Sequence, residues 1–156
     1  MHPVATRSVG CRRPALNIAV EVNQIVVPSG DKRASAELLA RILGLEVEAE
    51  PGQLVRVRAG NGLTLDFSGP EACWAFQCAI LVGPDEFDAA LARISRGAIN
   101  FYASCDRTGR GEVCCEDGAR RIYFDDPNGH LFELIENLDP YANESCVKAV
   151  AIKLPS

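Results

Sequence analysis

The 156-residue chain has no run of about 18 apolar residues, which excludes a single-helix membrane span. Its first residues, Met1 to Arg13, hold arginines but no apolar segment of the kind an export signal needs, so the expected location is cytoplasmic. No CxxC pair occurs, although there are seven cysteines. Their odd number argues against a complete disulfide framework, and buried thiols acting as small hydrophobes account for most of them. Basic residues are not in excess. A net charge of -5 repels nucleic-acid phosphates and anionic membranes at long range, so the expected partners are a small molecule and a second copy of the chain in a homodimer. Histidine is scarce, with only His2 and His130. What the chain does have is a hydrophobic fraction of 47%, enough for one domain, or two half-domains sharing a core.

The most informative stretch is Arg120 to Glu136. Two apolar runs, Ile122 to Phe124 and Leu131 to Ile135, flank Asp125-Asp126-Pro127-Asn128-Gly129-His130, whose Pro and Asn-Gly suit a tight turn between strands. Period-two alternation puts Leu131, Glu133 and Ile135 on one face. A carboxylate among apolar residues calls for a metal, a base role or a ligand to offset its desolvation. The alternative is an edge-strand glutamate leaning into water.

Along the chain, residues 1–15 read as a loose arm and Ala19 to Pro28 as a strand with Val22, Gln24 and Val26 on one face. Lys32 to Leu43 has apolar residues at helical spacing and ends at Gly44. Leu45 to Glu50, Leu54 to Arg58 and Leu63 to Phe67 follow as strands, separated by turns at Pro51-Gly52 and Asn61-Gly62. After a linker at Ser68-Gly69-Pro70 the order repeats: strand Trp74 to Val82, helix Pro84 to Ile94, then strands at Ile99 to Ala103, Arg120 to Phe124 and Leu131 to Ile135. This duplication predicts one module over 16–68 and a second over 73–137, each with an apolar sheet face that it cannot bury alone. Residues 138–156 form an extension in which Val147 to Leu154 makes a short strand or lies against a dimer partner.

Ser104 to Gly118 interrupts the second module with a polar, Gly-rich stretch that suits the rim of a pocket. Tyr102, Arg110, Arg120, Arg121 and Tyr123 are candidates to line its mouth and receive an anionic or aromatic ligand, or else are solvated sheet-edge residues. Phe76 is a candidate for the core or the pocket wall. Asp125, Asn128 and Gly129 are assigned to the turn.

The segments EVNQIVVPSGDKRASAELLARILGL, FQCAILVGPDEFDAALARI and RIYFDDPNGHLFELI together resemble the vicinal oxygen chelate superfamily, which includes glyoxalase I, extradiol dioxygenases and bleomycin-resistance proteins. The resemblance covers roughly Leu16 to Asn137. It implies an α+β fold of two βαβββ modules forming an open, cup-like mixed sheet, and often a dimer. It also implies one divalent metal, held by the first strand of each module and the last strand of the second, and sometimes by the last strand of the first. The corresponding positions are Gln24, Cys78, Glu133 and Asp66, with Glu133 as ligand or general base.

Where this branch of the family usually has histidine, the chain has Gln24 and Cys78. An amide oxygen is a weaker donor than imidazole, and a thiolate is softer. The expectation is therefore a protein binding a small hydrophobic or aromatic molecule without the two-histidine centre, against residues such as Gln24, Phe76, Cys78, Tyr102, Arg121 and Tyr123. A metal-dependent lyase or dioxygenase using Gln24, Asp66, Cys78 and Glu133 is the alternative. The spacing of Cys114-Cys115 before Glu133 also resembles that in organoarsenical carbon–arsenic lyases of the superfamily, which implies thiol capture of a soft metal or metalloid as a third reading.

Overall fold

The computed structural model describes residues 22–49, 53–60, 62–69, 75–138 and 148–153. The arm, the Pro51-Gly52 turn, Asn61, Pro70, Trp74 and most of the extension lie outside these.

The first module contains β1 (Gln24–Pro28), α1 (Lys32–Leu43), β2 (Val47–Ala49), β3 (Val55–Arg58) and β4 (Thr64–Ser68). Asp31 caps α1 by accepting the Ala34 N–H, and Gly44 ends it in the left-handed conformation that a side chain resists. The strands form a sheet in the order β1-β4-β3-β2, with β1 parallel to β4.

The second module repeats the plan with β5 (Phe76–Val82), α2 (Pro84–Arg96), β6 (Phe101–Tyr102), β7 (Cys114–Glu116), β8 (Ala119–Asp125) and β9 (Leu131–Glu136). Its helix starts with Pro84, Asp85 and Glu86 and ends with Arg93 and Arg96, charges that complement the helix dipole. The sheet order is β10-β5-β9-β8-β6, with β7 added alongside β8. β7 falls inside the stretch expected to be irregular. β10 (Lys148–Lys153) lies antiparallel to β5 of the same chain, so the extension contributes a strand.

Both sheets are mixed and open, and each turns one face toward the helices. Ile25, Val27, Leu65 and Phe67 from the first sheet join Cys78, Ile80, Phe132 and Leu134 from the second in one apolar core with Leu39, Ile42, Phe87 and Ile94. Polar contacts also tie the modules together. Arg93 Nη1 donates to Ile42 O at 3.1 Å, Ser35 Oγ donates to Asp126, and Ser29 Oγ lies 3.3 Å from His130 Nε2. The turn predicted at Asp125 to Gly129 therefore also docks onto the start of α1.

Candidate functional site

Strand alternation leaves a helix-free face on each sheet. On the first, Gln24 and Val26 of β1 are exposed while Ile25 and Val27 point into the core. Asp66 lies on the same helix-free face and is fully buried by its partners. Arg56, directly across on β3, donates from Nε to Oδ1 and from Nη2 to Oδ2, both at 2.6 Å. Gln24 Nε2 donates to Oδ2 at 2.6 Å. The Arg56 bonds, helped by Gln24 and opposed by burial, hold the Asp66 carboxyl below the usual aspartate range.

On the second sheet, the register places Tyr102, Tyr123, Glu133 and Ala79 in one row across β6, β8, β9 and β5. Glu133 is buried, as the face-sharing with Leu131 and Ile135 expected from the sequence requires. Tyr123 Oη donates to Glu133 Oε1 at 2.9 Å, and Gln77 Nε2 lies 3.4 Å from Oε2. Arg121 Nε sits 3.1 Å from Oε1, but its N–H is not aligned on any acceptor, while Nη1 pairs with Glu116 at 2.9 Å. Burial first, then the hydrogen bond to Glu133, pushes the Tyr123 phenol up to about 12. Burial lowers the Arg121 pKa, but Tyr123 and Glu133 outweigh it and raise it on balance.

Two of the expected pocket residues face the other way. Cys78 is in register with Phe132 on the core side of β5, with Phe76 and Ile80, so it does not share a face with Glu133. Burial pushes its thiol up to about 12, which keeps it protonated at neutral pH. Phe76 packs edge-on against the His130 ring at 4.7 Å and belongs to the core. The residue that does share Glu133's face is Gln77. The sequence marks the two faces only weakly: the polar Gln77 falls among the odd positions, but so does the bulky Leu81, and alternation alone does not separate core from open face.

Cys114 and Cys115 are consecutive residues of β7, in register with Arg121 and Arg120, which take opposite faces of β8. Arg120 turns to the helix side. It lies over the Phe87 ring at 4.7 Å and pairs with Glu136 at 2.8 Å, away from any mouth. Tyr102 and Arg121 stand on the Glu133 face, whereas Arg110 donates to Asn100 Oδ1 at 2.6 Å. Arg56 was not anticipated, because its partner Asp66 lies ten residues on, across a hairpin.

Does this donor set suit the divalent metal that the resemblance implies? The positions offer two amides, from Gln24 and Gln77, and two carboxylates, with no imidazole. Both Asp66 oxygens already accept from Arg56, and Glu133 accepts from Tyr123 beside Arg121. Among the described residues, no three His, Cys, Asp or Glu side chains are grouped as a metal site requires. The residues present do not fit the group, and no chemical step is derived through it.

No family model and no curated protein matches the sequence. Solved structures do. Oxidase ChaP-H2 is 36% identical over 80% of this chain and 98% of its own, with a TM-score of 0.71. A lactoylglutathione lyase from Agrobacterium tumefaciens is 18% identical over 77% of this chain and 96% of its own, with a TM-score of 0.61. A glyoxalase/dioxygenase from Nostoc punctiforme is 20% identical over 89% of this chain and all of its own, with a TM-score of 0.58. The last two establish the fold alone. The 36% identity to Oxidase ChaP-H2 over 98% of its length, with the paired βαβββ modules, shows that the chain belongs to the vicinal oxygen chelate superfamily.

Proposed function

We propose that the chain binds a small hydrophobic or aromatic molecule on the helix-free face of its second sheet, without a two-histidine metal centre. The observation that carries this reading is the row of Tyr102, Tyr123 and Glu133 beside Arg121, bordered by Leu81, Leu131 and Ile135. Aromatic and aliphatic surface gives affinity for a flat ligand, and a few polar groups fix its orientation. Glu133 orients the two donors nearest it and is placed to accept a ligand hydroxyl.

A panel of naphthoic acids, naphthols and naphthoquinones tests the reading by thermal shift and by intrinsic fluorescence. At least one should bind with a Kd in the micromolar range or below, and Tyr123→Leu should weaken it by about tenfold. Failure of the whole panel to bind sinks the proposal.

A second reading is oxidation of such a ligand, favoured by the identity to oxidase ChaP-H2. Oxygen uptake on adding a panel member that binds distinguishes turnover from simple binding. Pairing with a second copy is supported by the exposed Val22 and Val26 at and before β1, and sedimentation equilibrium checks it.

A further inference from the structure

Asp66 and Glu133 hold matching places in the two modules. Gln24 is in register with Thr64, two residues before Asp66, and Gln77 is in register with Leu131, two residues before Glu133. In each module the glutamine turns its amide N–H toward the carboxylate, at 2.6 Å for Asp66 and 3.4 Å for Glu133. In each, an arginine of the adjacent strand stands against the same carboxylate.

The arginines do not occupy matching positions. Arg56 is directly across from Asp66, whereas the residue directly across from Glu133 is Tyr123, and Arg121 reaches in from two residues along β8. Simple duplication of one module would have placed both guanidinium groups at the same register. The two modules share the charge pairing, reached from two different positions.

We infer that Arg56 and Arg121 each stand in for a divalent metal at their own module's carboxylate, so that each module carries within the chain the cation that a metal would bring there. Arg56 already balances the charge of Asp66, and Arg121, which also pairs with Glu116, stands 3.1 Å from Glu133. A divalent ion at Asp66 would have to displace Arg56 from both oxygens, and one at Glu133 would lie a few ångströms from Arg121, where like charges repel strongly in a partly buried site. The glutamines would also have to reverse their amides, because only the oxygen ligates a metal. A ligand on the Glu133 face therefore meets the N–H donors of Gln77 and Arg121 in place of an open coordination position. Arg121 Nε, buried and not aligned on an acceptor, is the donor that a ligand carbonyl or phenolate oxygen would take up.

Metal content tests this independently of small-molecule binding. Full-length protein, purified without chelator and equilibrated in turn with Zn2+, Mn2+ and Ni2+, is measured by elemental analysis and calorimetry. The wild type should retain no stoichiometric ion. Arg121→Leu, which frees Glu133, should bind one divalent ion per chain at least about tenfold more tightly, and adding Glu133→Gln should abolish the gain. Arg121→Lys keeps the charge and should stay metal-free. A wild type that holds one ion per chain and loses it in Glu133→Gln overturns the inference. So does a cooperatively melting Arg121→Leu protein with no increase in metal affinity. If Arg121→Leu does not fold, the wild-type and Glu133→Gln measurements decide.

Discussion

Asn128 and Asp31, 97 residues apart, exchange two hydrogen bonds of 2.9 Å: the Asp31 N–H donates to Asn128 Oδ1, and Asn128 Nδ2 donates to Asp31 O. The side chain of a turn in the second module thus grips the backbone that starts α1 in the first. The same Nδ2 also donates to Ser35 Oγ at 2.6 Å, and Ser35 in turn reaches Asp126. Asn128→Ala removes this grip and leaves the buried Ser35 Oγ without the donor it accepts from, while Asp126 keeps its bonds from Ser35 and from the backbone. Urea denaturation should show a loss of about 1–3 kcal/mol. A midpoint unchanged from wild type would mean that this grip adds nothing to the joining of the modules.

Arg56→Leu leaves the fully buried Asp66 carboxylate without its guanidinium. Breaking such a pair from one side costs about 3 kcal/mol or more, and Asp66→Asn in the same protein should restore part of the loss. Denaturant midpoints of the two variants measure both effects.

Because the folded pKa of Asp66 lies below the usual aspartate value, its contribution to stability is complete above about pH 4, the ordinary range of an unfolded aspartate. It is lost as the pH falls through the depressed folded value. Wild-type stability should drop below about pH 4, and Asp66→Asn should flatten part of that drop. An acid profile identical in the two proteins would refute the assignment.

Tyr123 behaves in the opposite sense. Its phenol is raised to about 12, so the stability it contributes is complete below the ordinary tyrosine pKa of about 10 and is lost as the pH rises through the folded value. Ultraviolet titration at the phenolate band should show a late-ionising tyrosine that is absent from Tyr123→Phe. In Glu133→Gln its midpoint should fall, because the carboxylate that holds the phenolic proton is gone.

Thiol labelling separates the cysteines by face. Cys105 and Cys115 are exposed and should react with iodoacetamide in the native protein, whereas Cys78, buried and pushed up to about 12, should react only after denaturation. Peptide mapping by mass spectrometry checks each site.

Local patterns were legible where a single segment decides the outcome. Ala36, Leu39, Ala40 and Leu43, closed by Gly44, specify α1 over the same residues that the structure shows. The face of a strand was legible only where one side is clearly more apolar. Glu133 and Gln24 could be placed in this way, but Cys78 could not, because a one-residue change of register turns a strand's whole side-chain set over. β7 escaped notice because it is an edge strand half-exposed or exposed throughout, and such a strand carries no alternation to read. The arginines facing Asp66 and Glu133 depend on which strands lie side by side, which the helical and strand periods do not record.

The placement of β10 makes the two modules unequal. β1 and β5 are corresponding strands, each parallel to the last strand of its own module. β10 occupies the second side of β5, whereas among the described elements β1 has a neighbour on one side only. A duplicated chain would otherwise present two like ladders of unpaired N–H and C=O groups, able to join copies end over end without limit. With β10 seated on β5, that edge of the second sheet belongs to a strand with no counterpart among the described elements of the first, and the two modules no longer present like ladders.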